Sequence, residues 1–284
     1  MKVVRFFYQN AIGWGKYDAK TDCIHTSMAE SSQLHTFSDV IVYLQQAEES
    51  GYEEALPASA VSLLAPVLPT KNILCIGKNY SEHILEFDGS DRDIARVKEK
   101  PIFFSKALSS ITGPDSPIVR HEGVTHAIDY EAELAVVIGK RGIQIPKERA
   151  LEYVFGYTIL NDVTARDLQK DHQQWLLGKS LDTHCPIGPW IVTTEELKDP
   201  QTLAIQSMIN GELRQNSNTR HMMHDVASLL ETLSRGMTLE PGDVIATGTP
   251  KGVGMGFDPP KFLRHGDRVE IVIEGIGTLK NVVD

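Results

Sequence analysis

The sequence predicts a β-rich α+β fold. Short apolar runs bounded by Gly, Pro and Asp recur through most of the chain, helical patterns are few and brief, and the two do not alternate as a doubly wound parallel sheet requires. A chain of 284 residues accommodates one large domain, or a small one followed by a larger one. With 41% hydrophobic and 23% charged residues and no low-complexity stretch, it is expected to fold throughout.

MKVVRFFYQ and AIGWGKYD read as short strands. An amphipathic helix follows, SDVIVYLQQAEESG, with Ser38 or Asp39 as its cap and Gly51 as its stop. Residues 57–70, PASAVSLLAPVLPT, hold three prolines that disfavour helix, so an extended connector is expected. A boundary near 69 divides a small N-terminal α+β domain, 1–69, from a larger domain, 70–284. In the larger part NILCIG, PIFFSK, AIDYEAELAVVIG, GYTILND, GPWIVTT, TLAIQSMING, GDVIATG and RVEIVIEGIGTL supply the strands. Helices are expected after Asn79, over Pro146 to Tyr153, from near Thr164, and at HDVASLLETLSRG, ending at Gly236. No internal repeat is present.

The net charge of -10, with no Lys/Arg stripe interleaved with aromatics, gives attraction to a phosphate backbone no source, so nucleic acid is not an expected partner. A metal ion or a few aimed cations can still hold a small anion at contact distance. Cys23, Cys75 and Cys185 are odd in number and widely spaced, which fits neither a disulfide framework nor a thiolate zinc site and suits a reducing compartment. The apolar run VVRFFY ends too early for a signal-peptide core, and no segment nears the roughly 20 apolar residues of a membrane span. A cytoplasmic protein with no membrane partner is the expectation.

The most informative segment is Asp129-Tyr130-Glu131-Ala132-Glu133-Leu134. Along one strand side chains alternate faces, so Asp129, Glu131 and Glu133 would share one face and repel unless a hard cation such as Mg²⁺ or Mn²⁺ sat among them. An isolated E-x-E is otherwise a solvent-facing acidic strand. Asp162 closes the strand GYTILND just before an expected helix, where strand ends place functional side chains; taken alone it reads as that helix's N-cap. His121, His126, His221 and His224 match no closed zinc spacing.

From about residue 70 onward the chain resembles the fumarylacetoacetate hydrolase family, through GKNYSEHILE, PIFFSKALSSITGP, DYEAELAVVIGK, GYTILNDVTARDLQ, WLLGKSLDTHCPIGPWI and IATGTPKGVG in that order. The resemblance implies the family's mixed β-roll catalytic core, usually dimeric, with Mg²⁺ or Mn²⁺ held by Glu131, Glu133 and Asp162. The family's lid motif falls on Asn79, Tyr80, His83 and Glu86. On a helical lid, Glu86 shares a face with His83 and orients it to take a proton from water. Lys179 matches a family lysine near the metal-bound oxygens, completing a catalytic set of His83, Glu86 and Lys179. Tyr80, Arg166, Gln169 and Thr249 are the expected substrate-binding residues. Arg166 and Gln169 follow Asp162 at spacings of four and seven, hence on one helix face, and Thr249 lies in a glycine-rich loop with the substrate carboxylate as its expected partner.

The activity this implies is metal-dependent hydrolysis of a carbon–carbon bond in a 1,3-dicarbonyl acid, an acylpyruvate or fumarylacetoacetate-like substrate. Oxaloacetate decarboxylation and isomerisation of 2-hydroxyhepta-2,4-diene-1,7-dioate use the same electron sink and stay open alternatives. A catalytically idle, ligand-binding relative is the alternative of another class, and retention of all three carboxylates and both lid residues argues against it. The polar stretch 86–100 suits either a segment that orders over substrate or a static surface loop.

Overall fold

The structure, a computed structural model, describes residues 1–86 and 90–284. Among these residues the expected β-rich α+β architecture is present as one large sheet, a second sheet of five strands and a two-stranded ribbon. The large sheet runs in the order Glu54–Pro57, Cys23–Thr26, Ala11–Asp18, Lys2–Tyr8, Cys185–Thr193, Val154–Asn161, Ala132–Ile138, Val244–Ala246, Ile73–Gly77 and Ile102–Lys106. Along this path neighbours are antiparallel except Val244–Ala246 with Ile73–Gly77, which run parallel. The ladder crosses the expected boundary at 69, because Lys2 and Val3 pair with Val192 and Ile191.

The centre of the sheet is buried on both sides. Ala132–Ile138 is buried at all seven positions, and its alternate residues enter different cores. Leu134, Val136 and Ile138 pack with Ile205, Ile271 and Leu279 of the five-stranded sheet. Ala135 and Val137 pack with Val40, Tyr43 and Leu44 of the helix Phe37–Ser50. Such a strand can end in carboxylates only where the sheet gives way to a pocket, because an ionised group left inside this apolar sandwich would shed its charge.

Several local expectations change. The helix Phe37–Ser50 is capped by Thr36, not Ser38 or Asp39, and Asp39 instead returns the bond to the Thr36 backbone in a capping box. The proline-rich connector is extended but not bare. Its segment Ser62–Leu64 pairs antiparallel with Lys2–Tyr8. Residues Lys147–Tyr153 form a 3-10 helix. The strand Glu212–Asn218 has no counterpart among the expected elements. Of the polar stretch 86–100, residues 87–89 lie outside the described residues, and Asp91–Glu99 is a helix capped by Ser90. Among the described residues no helix is long and apolar enough to cross a membrane.

Candidate active site

Two adjacent strand ends bring the acidic residues together. Ala132 pairs with Asn161, so Glu131 and Asp162, one residue beyond each, meet where the sheet opens. Asp162 N donates to Glu131 O at 2.9 Å, and Glu131 N donates to the Asn161 side chain at 3.0 Å. One carboxylate oxygen from each of Glu131, Glu133 and Asp162 lies within 4.8 Å of the others, and all three residues are buried. Asp162 therefore caps nothing; the helix beyond it, Arg166–Asp171, starts after Ala165.

Asp129 does not join the other two on a shared strand face, because the strand breaks at Tyr130 and Glu131. It belongs to a separate ribbon, Ile128–Asp129 with Thr164–Ala165. Its carboxylate accepts from Gly254 N at 2.6 Å, Met255 N at 3.0 Å and Arg166 Nε at 2.8 Å, tying the glycine-rich loop to the helix that carries Arg166.

Three buried carboxylates in one pocket require compensation. Lys179 Nζ lies 2.8 Å from Glu131 Oε2 and 2.6 Å from Asp162 Oδ2. Arg166 Nη2 lies 2.7 Å from Glu131 Oε1. Lys106, wholly buried, lies 2.7 Å from Asp162 Oδ1 and donates to Val163 O at 3.0 Å. Burial alone would raise the Glu131 carboxyl, but Lys179 and Arg166 outweigh it and hold the pKa down at about 2. Glu133 goes the other way. Burial first, then the charges of Asp162 and Glu131, push it well above the ordinary carboxylate range against the smaller pull of Lys179 and of the Gly248 N–H, which donates to it at 2.8 Å. Burial would lower Lys179, yet Asp162 and Glu131 keep its ammonium charged.

This all-oxygen donor set suits a hard divalent cation, and the repulsion that raises Glu133 is what a cation among the three oxygens would remove. The residues present therefore fit the metal that the resemblance implies. Gly248 makes the turn possible. Its φ is +96°, and a Cβ there would come within 2.8 Å of the Asn79 Cβ.

A cavity of about 270 Å³ reaches Glu131 and Glu133 of the triad, with His83, Arg166, Lys179 and Thr249 among its other lining residues; Asp162 lies behind them and does not line it. Phe104 and Trp175, edge-to-face at 5.3 Å, form an apolar wall, with Lys179 Nζ 5.1 Å from the Phe104 ring centre. His83 lies in the short helix Ser81–Leu85, and its Nδ1 is 3.1 Å from Glu86 Oε2, while Glu86 Oε1 accepts from Gly252 N at 2.8 Å. With Nδ1–H facing the carboxylate, Nε2 is the nitrogen that can act as a base.

The structure brings most of the expected residues to this cavity, some in altered guise. Gln169 lines it and accepts from Arg166 Nη1 at 3.1 Å. Arg166 braces Asp129 and Glu131 as well as facing the cavity. The Thr249 hydroxyl donates to Ala132 O at 2.9 Å and accepts from Gln215 Nε2 at 2.7 Å. Tyr80 is buried and is not among the cavity-lining residues; burial and then the Glu133 charge push its phenol pKa upward. Sequence reasoning missed Lys106 and Gln215. A lysine closing the apolar run PIFFSK looks like a solvated strand end, and Gln215 lies on the unexpected strand.

Residues 72–284 match the family described as Fumarylacetoacetate (FAA) hydrolase C-terminal. The chain is 54% identical over 226 residues to the oxaloacetate tautomerase YisK of Bacillus subtilis, covering 79% of this chain and 74% of that one. The solved fumarylacetoacetate hydrolase of Exiguobacterium antarcticum is 44% identical with a TM-score of 0.87, spanning 100% of this chain and 99% of that one. The solved 2-hydroxyhepta-2,4-diene-1,7-dioate isomerase of Mycobacterium marinum is 34% identical with a TM-score of 0.76, spanning 100% and 98%.

Proposed function

The chain belongs to the fumarylacetoacetate hydrolase family of enzymes, and we propose that this member interconverts the enol and keto forms of oxaloacetate or a closely similar 2-oxo diacid. The observation that carries the reading is one small cavity lined by both a carboxylate-backed imidazole, His83, and a buried ammonium, Lys179. Tautomerisation needs a base to move the C3 proton and positive charge to meet the C2 oxygen. At about 270 Å³ the cavity falls at the small end of ligand pockets, suited to a short diacid.

Glu131, Glu133 and Asp162 would hold Mg²⁺ or Mn²⁺, which when bound supplies positive charge beside the 2-oxo acid oxygens. In the enolising direction His83 Nε2 takes the C3 proton, and Glu86 steadies the imidazolium that forms. The electron pair left on C3 moves into the C2–C3 bond and the C2 oxygen gains charge. Lys179 meets that charge with its ammonium, and the enolate oxygen takes a proton from solvent while the His83 imidazolium returns to solvent the one it took. The reverse sequence gives the keto form.

Likeness to a fumarylacetoacetate hydrolase across the whole chain supports a second reading, carbon–carbon hydrolysis of an acylpyruvate, in which His83 takes its proton from water instead. A panel of enol oxaloacetate, keto oxaloacetate and acylpyruvates, followed by initial rate with Mg²⁺ or Mn²⁺, separates the two. Faster loss of enol absorbance with no gain in pyruvate favours tautomerisation. Acid release from acylpyruvates alone favours hydrolysis. The homodimer is part of this proposal, and light scattering coupled to size exclusion tests it.

A further inference from the structure

The rim of the same cavity carries two cations that the reaction above does not use. Arg166 and Lys179 are engaged with the acidic floor, whereas Lys78 and Lys170 line the cavity with exposed side chains. Among the described residues neither forms an ion pair within 4.0 Å, although Lys78 acts on Asp93 at longer range and contributes to lowering its carboxyl pKa after the hydrogen bonds from Ser90.

Lys78 is held in an unusual way. Its φ is +58°, a left-handed conformation in which Gly or Asn would rest more easily. The next residue fixes it there. Asn79 donates to His224 O at 3.0 Å and to Thr247 O at 2.8 Å, and accepts from His224 N at 2.8 Å. A long cationic side chain on a backbone position that resists it, standing at the mouth of the functional cavity, points to a use for the charge.

We propose that Lys78 and Lys170 form a specificity subsite for the distal carboxylate of a 2-oxo diacid whose 2-oxo acid end lies at the acidic floor. The assignment rests on the tautomerase reading for which end faces inward. It adds the residues that select a dicarboxylate over a monocarboxylate of the same head group. The chain's net charge of -10 repels a dianion at long range, so a local pair of ammonium groups at the entrance is where such a substrate gains attraction. Two solvent-facing ion pairs together are worth roughly tenfold in affinity, and salt weakens them.

The test is titration calorimetry on the Mg²⁺-loaded protein with malate and lactate, stable ligands that share a chelating head and differ by the distal carboxylate. Wild type is expected to prefer malate. The variant Lys78→Asn with Lys170→Gln, in which Asn tolerates the left-handed backbone, is expected to lose about tenfold in malate affinity while lactate stays within about twofold. Equal binding of malate and lactate by wild type, or an undiminished preference in the variant, overturns the subsite. Tautomerase assays on the same samples keep the two claims apart. A malate preference that depends on the lysines, in a protein without turnover, would sink the reaction and leave the subsite standing.

Discussion

Lys106 Nζ lies 2.7 Å from Asp162 Oδ1, and neither side chain is exposed to solvent. With Lys179 on its other oxygen at 2.6 Å, Asp162 is bound by an ammonium at both ends. Glu131 is likewise paired, with Lys179 and Arg166. Among the described residues no Lys or Arg forms an ion pair with Glu133. The triad is therefore uneven: two carboxylates are each paired with buried cations, and the third carries the repulsion. The consequences can each be measured.

Lys106→Met leaves the buried Asp162 short of one cation. Breaking a buried pair from one side costs about 3–5 kcal/mol, so urea unfolding of the metal-free variant should fall short of wild type by about that amount. A loss below about 1 kcal/mol would mean that Lys179 alone satisfies Asp162.

Glu133→Gln removes the carboxylate under most strain. In metal-free protein its stability is expected to match or exceed that of wild type, because an amide carries no charge beside Asp162 and Glu131. The rise in melting temperature that Mg²⁺ or Mn²⁺ gives wild type is expected to vanish, a loss of about 2.7 kcal/mol at a cation concentration one hundred times the Kd. Differential scanning calorimetry with and without cation measures both.

Glu131 and Glu133 also set opposite pH trends in the metal-free protein. A carboxyl raised on folding contributes stability that is full below its unfolded pKa and lost as pH rises through its folded one; Glu133 behaves so. Glu131, held at about 2, contributes stability above its unfolded value of 4.5 that is lost as pH falls toward 2. Binding a cation must ionise Glu133, so uptake should release up to one proton below the raised pKa and tighten with rising pH. Calorimetry in buffers of differing ionisation enthalpy counts the proton, and a count of zero across the acidic range contradicts this charge distribution.

Gly256→Ala drives a Cβ into Glu86 Oε1, closer than any real contact allows. The flexible carboxylate gives way more cheaply than the backbone, so Glu86 should leave both Gly252 N and His83. The expected result is a fall in kcat of tenfold or more with KM little changed, since the base loses its orientation while the binding groups stay in place. Unchanged kcat would show that His83 does not rely on Glu86.

Much of this site is reached through the run of motifs that resembles one family; taken alone, E-x-E reads as a solvent-facing acidic strand and Asp162 as a helix cap, and only the His83–Glu86 spacing carries a local geometry of its own. The break at Tyr130 is not legible in the amino-acid order. It depends on Asp129 meeting Gly254 and Arg166, residues distant in sequence. Lys106 is hidden for a similar reason, since its partner lies 56 positions away and a lysine ending an apolar strand looks solvated. The strand Glu212–Asn218 is masked by its polarity. Asn210-Gly211, with φ values of +53° and +81°, is the hairpin signal that points to it, and with it to Gln215 beneath Thr249.

The most direct test of the central claim is the rate at which enol oxaloacetate converts to the keto form with Mg²⁺ or Mn²⁺, with chelator, and with Glu131→Gln under saturating cation. Conversion that requires the cation in wild type and drops to the uncatalysed rate in both other cases is the expected result. Conversion undiminished by chelator or by Glu131→Gln would contradict the assignment of this carboxylate triad to the reaction.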